Sequence, residues 1–151
     1  MKHILFLILL LPIAVFSQEK VTLTNGKYLD DNGNLYSGVY NEFFDSGALK
    51  SEAEIKDGVL NGISKIYFEN GKLNEVRSFS NGIKNGKWEI WNENETKLSE
   101  ANFSNGKKDG KWYVWNDNGK LLYDMTYKDG EKTGKWIIYD SDGKVISEKE
   151  Y

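Results

Sequence analysis

Gly82-Ile83-Lys84-Asn85-Gly86-Lys87-Trp88-Glu89-Ile90-Trp91 returns twenty-four residues later as Gly106-Lys107-Lys108-Asp109-Gly110-Lys111-Trp112-Tyr113-Val114-Trp115. A third copy, Gly130-Glu131-Lys132-Thr133-Gly134-Lys135-Trp136-Ile137-Ile138-Tyr139, follows at the same interval. Self-similarity at a period of this size marks a repeat architecture in which each unit is one supersecondary element. Working outward, the glycine series extends back through Gly62 to Gly38, and a second runs Gly58, Gly82, Gly106, Gly130. A third runs Gly47, Gly71, Gly119, Gly143, with Glu95 where its middle member should stand. Tyr40 and Ser64 precede Trp88 in register, Phe43 and Tyr67 precede Trp91, and Ile55, Phe79, Phe103, Tyr127 and Tyr151 form another series.

Each unit reads as strand, tight turn, strand, connecting turn. In the fourth, Lys111–Trp115 is the first strand, Asp117-Asn118-Gly119 the turn, and Lys120–Tyr127 the second strand. Aromatic and β-branched residues favour strands, and the runs are too short and too punctuated for helices. All fifteen glycines follow Asn, Asp, Ser or Thr, and Asn-Gly and Asp-Gly are the leading signals for turns with positive φ. The expected fold is therefore all-β: an elongated single-layer antiparallel sheet of consecutive hairpins, five repeats over residues 36–151. Glu95 and a leucine one place late, Leu98, predict a differently shaped turn in the third repeat. Residues 18–35 are expected to form a shortened entry hairpin, with Tyr28 and Leu35 flanking an Asp30-Asp31-Asn32-Gly33 turn.

The first residues differ from everything after them. Lys2 and His3 precede an apolar run from Ile4 to Phe16, and Val15 and Ser17 satisfy the small-residue cleavage rule. Such a run spans about 20 Å as a helix, short of the ~30 Å hydrocarbon core. Residues 1–17 are thus expected to be a signal peptide cut between Ser17 and Gln18. The product would be exported to the periplasm or the exterior and would not stay anchored in a membrane.

The chain has 151 residues, no Cys and a net charge of −3. Its one histidine, His3, lies in the leader, so nucleophilic sites built on His or Cys and the usual zinc sets are excluded downstream. No catalytic residue, metal or cofactor is expected, and the protein is expected not to be an enzyme. Charges of both signs are interspersed without a basic block, which argues against nucleic acid. Asp140-Ser141-Asp142-Gly143 and Asp30-Asp31-Asn32-Gly33 have the opening of a calcium loop but lack its later ligands, and Asx turns explain them.

The pattern Asp-Gly-x-x-x-Gly-Lys-Trp-x-x-Tyr/Trp, followed by Gly-Lys-Leu, resembles the bacterial variant of the MORN repeat. The likeness covers residues 36–151 and is best in repeats three to five; Tyr40 and Ser64 depart from it. It implies an elongated sheet and a non-catalytic scaffold role. Some bacterial members of that branch carry an antitoxin label, which implies neutralisation of a partner protein, here an exported one. Gly110-Lys111-Trp112-Tyr113 is also similar to choline-binding cell-wall repeats, whose period is shorter.

Strand parity places Trp88, Trp112 and Trp136 on one face and Trp91, Trp115 and Tyr139 on the other. These six form the candidate partner-binding stripes. A protein partner is the first expectation and a glycan the alternative. A competing explanation is structural, each aromatic covering a neighbouring glycine and packing on the next hairpin.

Overall fold

A computed structural model describes residues 20–151. The expected leader and its cleavage point, Ser17 and Gln18, lie outside the described residues. No helix occurs among those described. The strands are β1 (Thr22–Thr24), β2 (Lys27–Leu29), β3 (Gly38–Phe43), β4 (Leu49–Lys56), β5 (Val59–Tyr67), β6 (Leu73–Ser80), β7 (Ile83–Trp91) and β8 (Lys97–Ser104). They continue with β9 (Lys107–Lys108), β10 (Gly110–Trp115), β11 (Leu121–Lys128), β12 (Glu131–Lys132), β13 (Lys135–Tyr139) and β14 (Val145–Glu150). From β3 to β14 each strand pairs antiparallel with its sequence neighbour in one sheet, the short β9 and β12 continuing into β10 and β13.

Two turn types alternate along the chain. At one edge, Asp57-Gly58, Asn81-Gly82, Asn105-Gly106 and Asp129-Gly130 each place two successive residues at positive φ. That is the two-residue turn whose twist matches a hairpin, and the Asn-Gly and Asp-Gly pairs select it. These turns are stacked. Gly82 donates its backbone N–H to Leu60 O at 2.7 Å, and Asn81 N–H to Asn61 Oδ1 at 3.0 Å. Gly106 repeats this with Lys84 O, and Asn105 with Asn85 Oδ1. The Asn of Gly-x-x-Asn-Gly therefore ties each unit to the next.

The residues between those glycines belong to strands rather than to a link. β5 and β7 begin immediately after the turn, and a bulge then interrupts pairing: Arg77 pairs with Trp88 but Phe79 with Lys84. Gly86 sits in this bulge at φ +97°, where a Cβ would lie 3.1 Å from Ser78 Cβ. Bulges add a residue, raise local twist and re-aim side chains.

The opposite edge corrects one expectation. The third-repeat turn has the same shape as the others. Glu95 adopts φ +62°, its N–H bonds Asn92 O at 2.9 Å, and Asn92 N–H bonds Thr96 O at 3.0 Å. Gly119 closes on Asn116 in the same way. Lys97 pairs with Trp91 just as Leu121 pairs with Trp115, so Leu98 is the bulged residue and not a shifted Leu. The Asn92 carboxamide bonds the N–H groups of Asn94 and Thr96, which fixes the turn whatever occupies the glycine position.

Within residues 18–35, the hairpin β1–β2 turns at Asn25-Gly26, and Asp30–Gly33 form a separate loop closed by a Leu29–Leu35 bridge. This segment docks on the first repeat: Tyr28 N–H reaches Gly58 O at 2.9 Å, and the Tyr28 and Tyr40 rings lie 5.2 Å apart. With one layer there is little interior. Ala53, Ile55 and Ala101 are the buried apolar residues among those described.

Candidate interaction surface

The bulge is what aims Trp88, Trp112 and Trp136. The skipped residue of the preceding strand turns its carbonyl toward the indole, which donates to it beside a backbone N–H: Asp109 N–H also bonds Asn102 O at 3.0 Å, and Thr133 N–H bonds Thr126 O at 3.1 Å. Trp88 Nε1 donates to Ser78 O at 3.1 Å, Trp112 to Asn102 O at 3.0 Å and Trp136 to Thr126 O at 2.9 Å. Each indole then packs between second-strand rings. The column Phe79, Trp88, Phe103, Trp112, Tyr127, Trp136, Tyr151 steps at 5.5, 5.1, 5.2, 5.3, 5.0 and 5.1 Å between centroids, tilted or edge-on. Such pairs contribute about 0.5–1.5 kcal/mol beyond area burial.

Lysines cover this column. Lys84 Nζ stands 4.4 Å from the Trp88 ring, Lys108 4.2 Å from Trp112 and Lys132 4.3 Å from Trp136. Three successive repeats thus use one unit of indole, two flanking rings and an ammonium. All three indoles are half-buried.

Trp91, Trp115 and Tyr139 occupy the other face and are also half-buried. Trp115 lies 5.5 Å from Tyr113, while Lys97 Nζ stands 5.6 Å from Trp91. Neither the Trp91 nor the Trp115 indole N–H has an acceptor among the described residues, unlike the three indoles opposite. Between these aromatics the face is ionic and locally neutralised. Lys65 pairs with Glu52 at 3.0 Å, Lys111 with Asp124 at 2.7 Å, and Lys97 with Glu100 at 3.0 Å. Burial works against the Glu100 charge, but bonds from Lys97 and Lys87 outweigh it and hold its carboxyl below the ordinary 4.5. Burial likewise disfavours the Lys97 cation, yet Glu89 and Glu100 raise it above 10.5.

The Asp-rich loops are occupied by their own backbone. Asp140 Oδ1 accepts from Asp142 N–H at 3.0 Å and Lys144 N–H at 2.9 Å, and Asp30 Oδ1 does the same for Asn32 and Asn34. Among the described residues no cluster of acidic or imidazole groups is arranged to hold a metal, and no helix is long and apolar enough to cross a membrane.

The strand alternation separates the six stripe residues into the two sets expected from parity. Sequence reasoning missed the bond from each indole to a carbonyl ten residues earlier, and the lysine above each ring. The period-24 lysines Lys84, Lys108 and Lys132 were a visible signal for the second. A family model described as MORN repeat variant matches residues 60–81, 108–129 and 132–151. No curated protein matches the chain.

Proposed function

From repeats established as MORN-repeat variants, we propose that this is an exported, non-catalytic scaffold that binds a partner protein through the face carrying Trp91, Trp115 and Tyr139. The observation that supports this choice of face is the difference between the two tryptophan sets. The Trp88, Trp112 and Trp136 indoles are engaged inside the sheet, whereas those of Trp91 and Trp115 have no acceptor among the described residues. Tryptophan and tyrosine ringed by polar groups make the usual anchors of protein interfaces. Paired charges of both signs suit a protein surface better than a polyanion or an anionic membrane.

A glycan on the Trp88, Trp112 and Trp136 stripe is the weaker reading, because a sugar stacks on open ring faces and those of this column carry rings and ammonium groups. An antitoxin-like role would be the same binding with a toxic exported partner. The test is capture of partners by the exported chain from its own cell envelope and medium, with Trp91→Ala/Trp115→Ala as comparison. The double variant should lose a specific partner while it still unfolds cooperatively, with a melting temperature lowered by about 4–8 °C at most. An unchanged partner set would sink the reading; a response to glycans alone would replace it with the alternative.

A further inference from the structure

The aromatic column breaks off before Phe79, where Ile55 stands in the series of Phe79, Phe103, Tyr127 and Tyr151, and two residues of the repeating unit change together in the second repeat. Ser64 stands where the later repeats have Trp88, Trp112 and Trp136, and Leu60 where they have Lys84, Lys108 and Lys132. The missing indole is not replaced from elsewhere in the described chain. In its place is a cavity of about 220 Å³, open to solvent on one side, bordered by Tyr28, Tyr40, Ala53, Ser64, Arg77 and Phe79. Ser64 lies at its floor, 9% exposed, paired across the strands with Ala53 on one side and Arg77 on the other. The bulge that aims the indoles is present all the same: Ala53 pairs with Ser64 but Ile55 with Leu60, leaving Glu54 in the place of Ser78, Asn102 and Thr126.

We propose that this gap is a binding site for an aromatic side chain, best an indole, supplied by a partner polypeptide. The other repeats display the occupant that this backbone accepts: a ring about 5 Å from its aromatic neighbours, its N–H directed to the skipped carbonyl. In repeat two Phe79 supplies the flanking ring on one side, Ile55 stands at the matching position on the other, Tyr28 and Tyr40 border the cavity, and the carbonyl in the accepting position is that of Glu54. Leucine in place of the covering lysine gives an apolar lip at that end, while Glu42 and Lys50, of opposite sign, also line the cavity. The Arg77 guanidinium is held by Glu75, Nε to Oε2 at 2.7 Å, and so is already neutralised. Size argues for a side chain over a whole small-molecule ligand. Ligand pockets generally run from about 300 Å³ upward, whereas a cavity of about 150 Å³ already admits a benzene ring. This site is on the opposite face from Trp91 and Trp115, so it stands or falls apart from the scaffold reading.

The test titrates the full-length chain with N-acetyl-tryptophanamide and follows backbone amide resonances, with N-acetyl-leucinamide as control. The expected result is a saturable shift confined to Tyr40, Ser64, Arg77 and Phe79, absent with the leucine probe. Ser64→Trp should extend the column, raise the melting temperature by about 2–4 °C or more, and weaken probe binding by about tenfold or more. Phe79→Ala, which removes one wall, should weaken it as well. No saturable shift in the native chain would overturn the proposal, as would equal shifts with the leucine probe or undiminished binding in Phe79→Ala. An indole-free peptide carrying phenylalanine that binds as tightly as the tryptophan probe would overturn the indole preference and the carbonyl contact with it.

Discussion

At the scale of the residue, Glu95 shows how far a turn can be fixed by its neighbours. A non-glycine residue in the left-handed region costs about 1–2 kcal/mol, and Asn92 supplies the bonds that hold Glu95 there. Glu95→Gly should therefore stabilise the chain by about 1 kcal/mol, read as a higher urea midpoint at unchanged slope; its exposed contact with Lys72, at 3.6 Å, is too weak to offset this. A fall in the midpoint would mean that the turn is not strained. The two tryptophan sets can be separated similarly. Trp112→Ala removes a hydrogen-bonded ring flanked by two others and should cost about 3 kcal/mol. Trp112→Phe keeps the packing and leaves the Asn102 carbonyl without its indole donor, a loss of about 1 kcal/mol. Trp115→Ala should cost about 1 kcal/mol, because the ring is half-buried and its N–H is unbonded. If Trp115→Ala proved as damaging as Trp112→Ala, the distinction between a structural column and a free face would be lost.

At the scale of the element, the hairpins were legible in the sequence because each strand is bounded by a residue pair with one conformational meaning. Asn81-Gly82 can hardly be anything but a turn, and alternation then assigns Trp112 and Trp115 to opposite faces. The bulge was not legible, since Asp109-Gly110 has the same letters as a turn and only the pairing of β8 with both β9 and β10 tells them apart. The indole-to-carbonyl bond was hidden for the same reason: the acceptor is created by the bulge. Glu95 misled because substitution of glycine is a reliable sign of a changed turn only where the side chains around it do not enforce the old one. The cross-strand ion cluster on β7 and β8 yields a pH prediction. Glu100, with its carboxyl held below 4.5, contributes stability that is present above that value and is lost as pH falls through the folded-state value. Lys97, raised above 10.5, contributes stability that is present below that value and is lost as pH rises through the folded-state value. Urea midpoints at about pH 3, 7 and 11 should be highest in the middle, and Glu100→Gln should flatten both limbs. An unaltered profile in that variant would assign the pH dependence to other groups.

At the scale of the whole molecule, each unit touches little beyond its neighbours, so stability is close to a sum over repeats and interfaces. The sum runs through three ladders that share one period: the stacked turns, the sheet hydrogen bonds and the aromatic column. Removing residues 82–105 excises one full period and joins Asn81 to Gly106, recreating an Asn-Gly turn. Phe79 would then meet Trp112 as Phe103 now does, and Asn61 would remain one unit before its turn. The shortened chain should fold to the same type of sheet, with a denaturant slope lower by about a fifth because that slope follows the surface exposed on unfolding. Removing residues 94–105 should instead be ruinous, although only half as many residues are lost. It deletes one strand, so every later strand would have to reverse direction or present its opposite face, placing Trp112 and Trp115 on the wrong sides. Equilibrium unfolding followed by circular dichroism distinguishes the two. A half-period deletion as cooperative as the full-period one would show that hairpins are not the unit of this architecture.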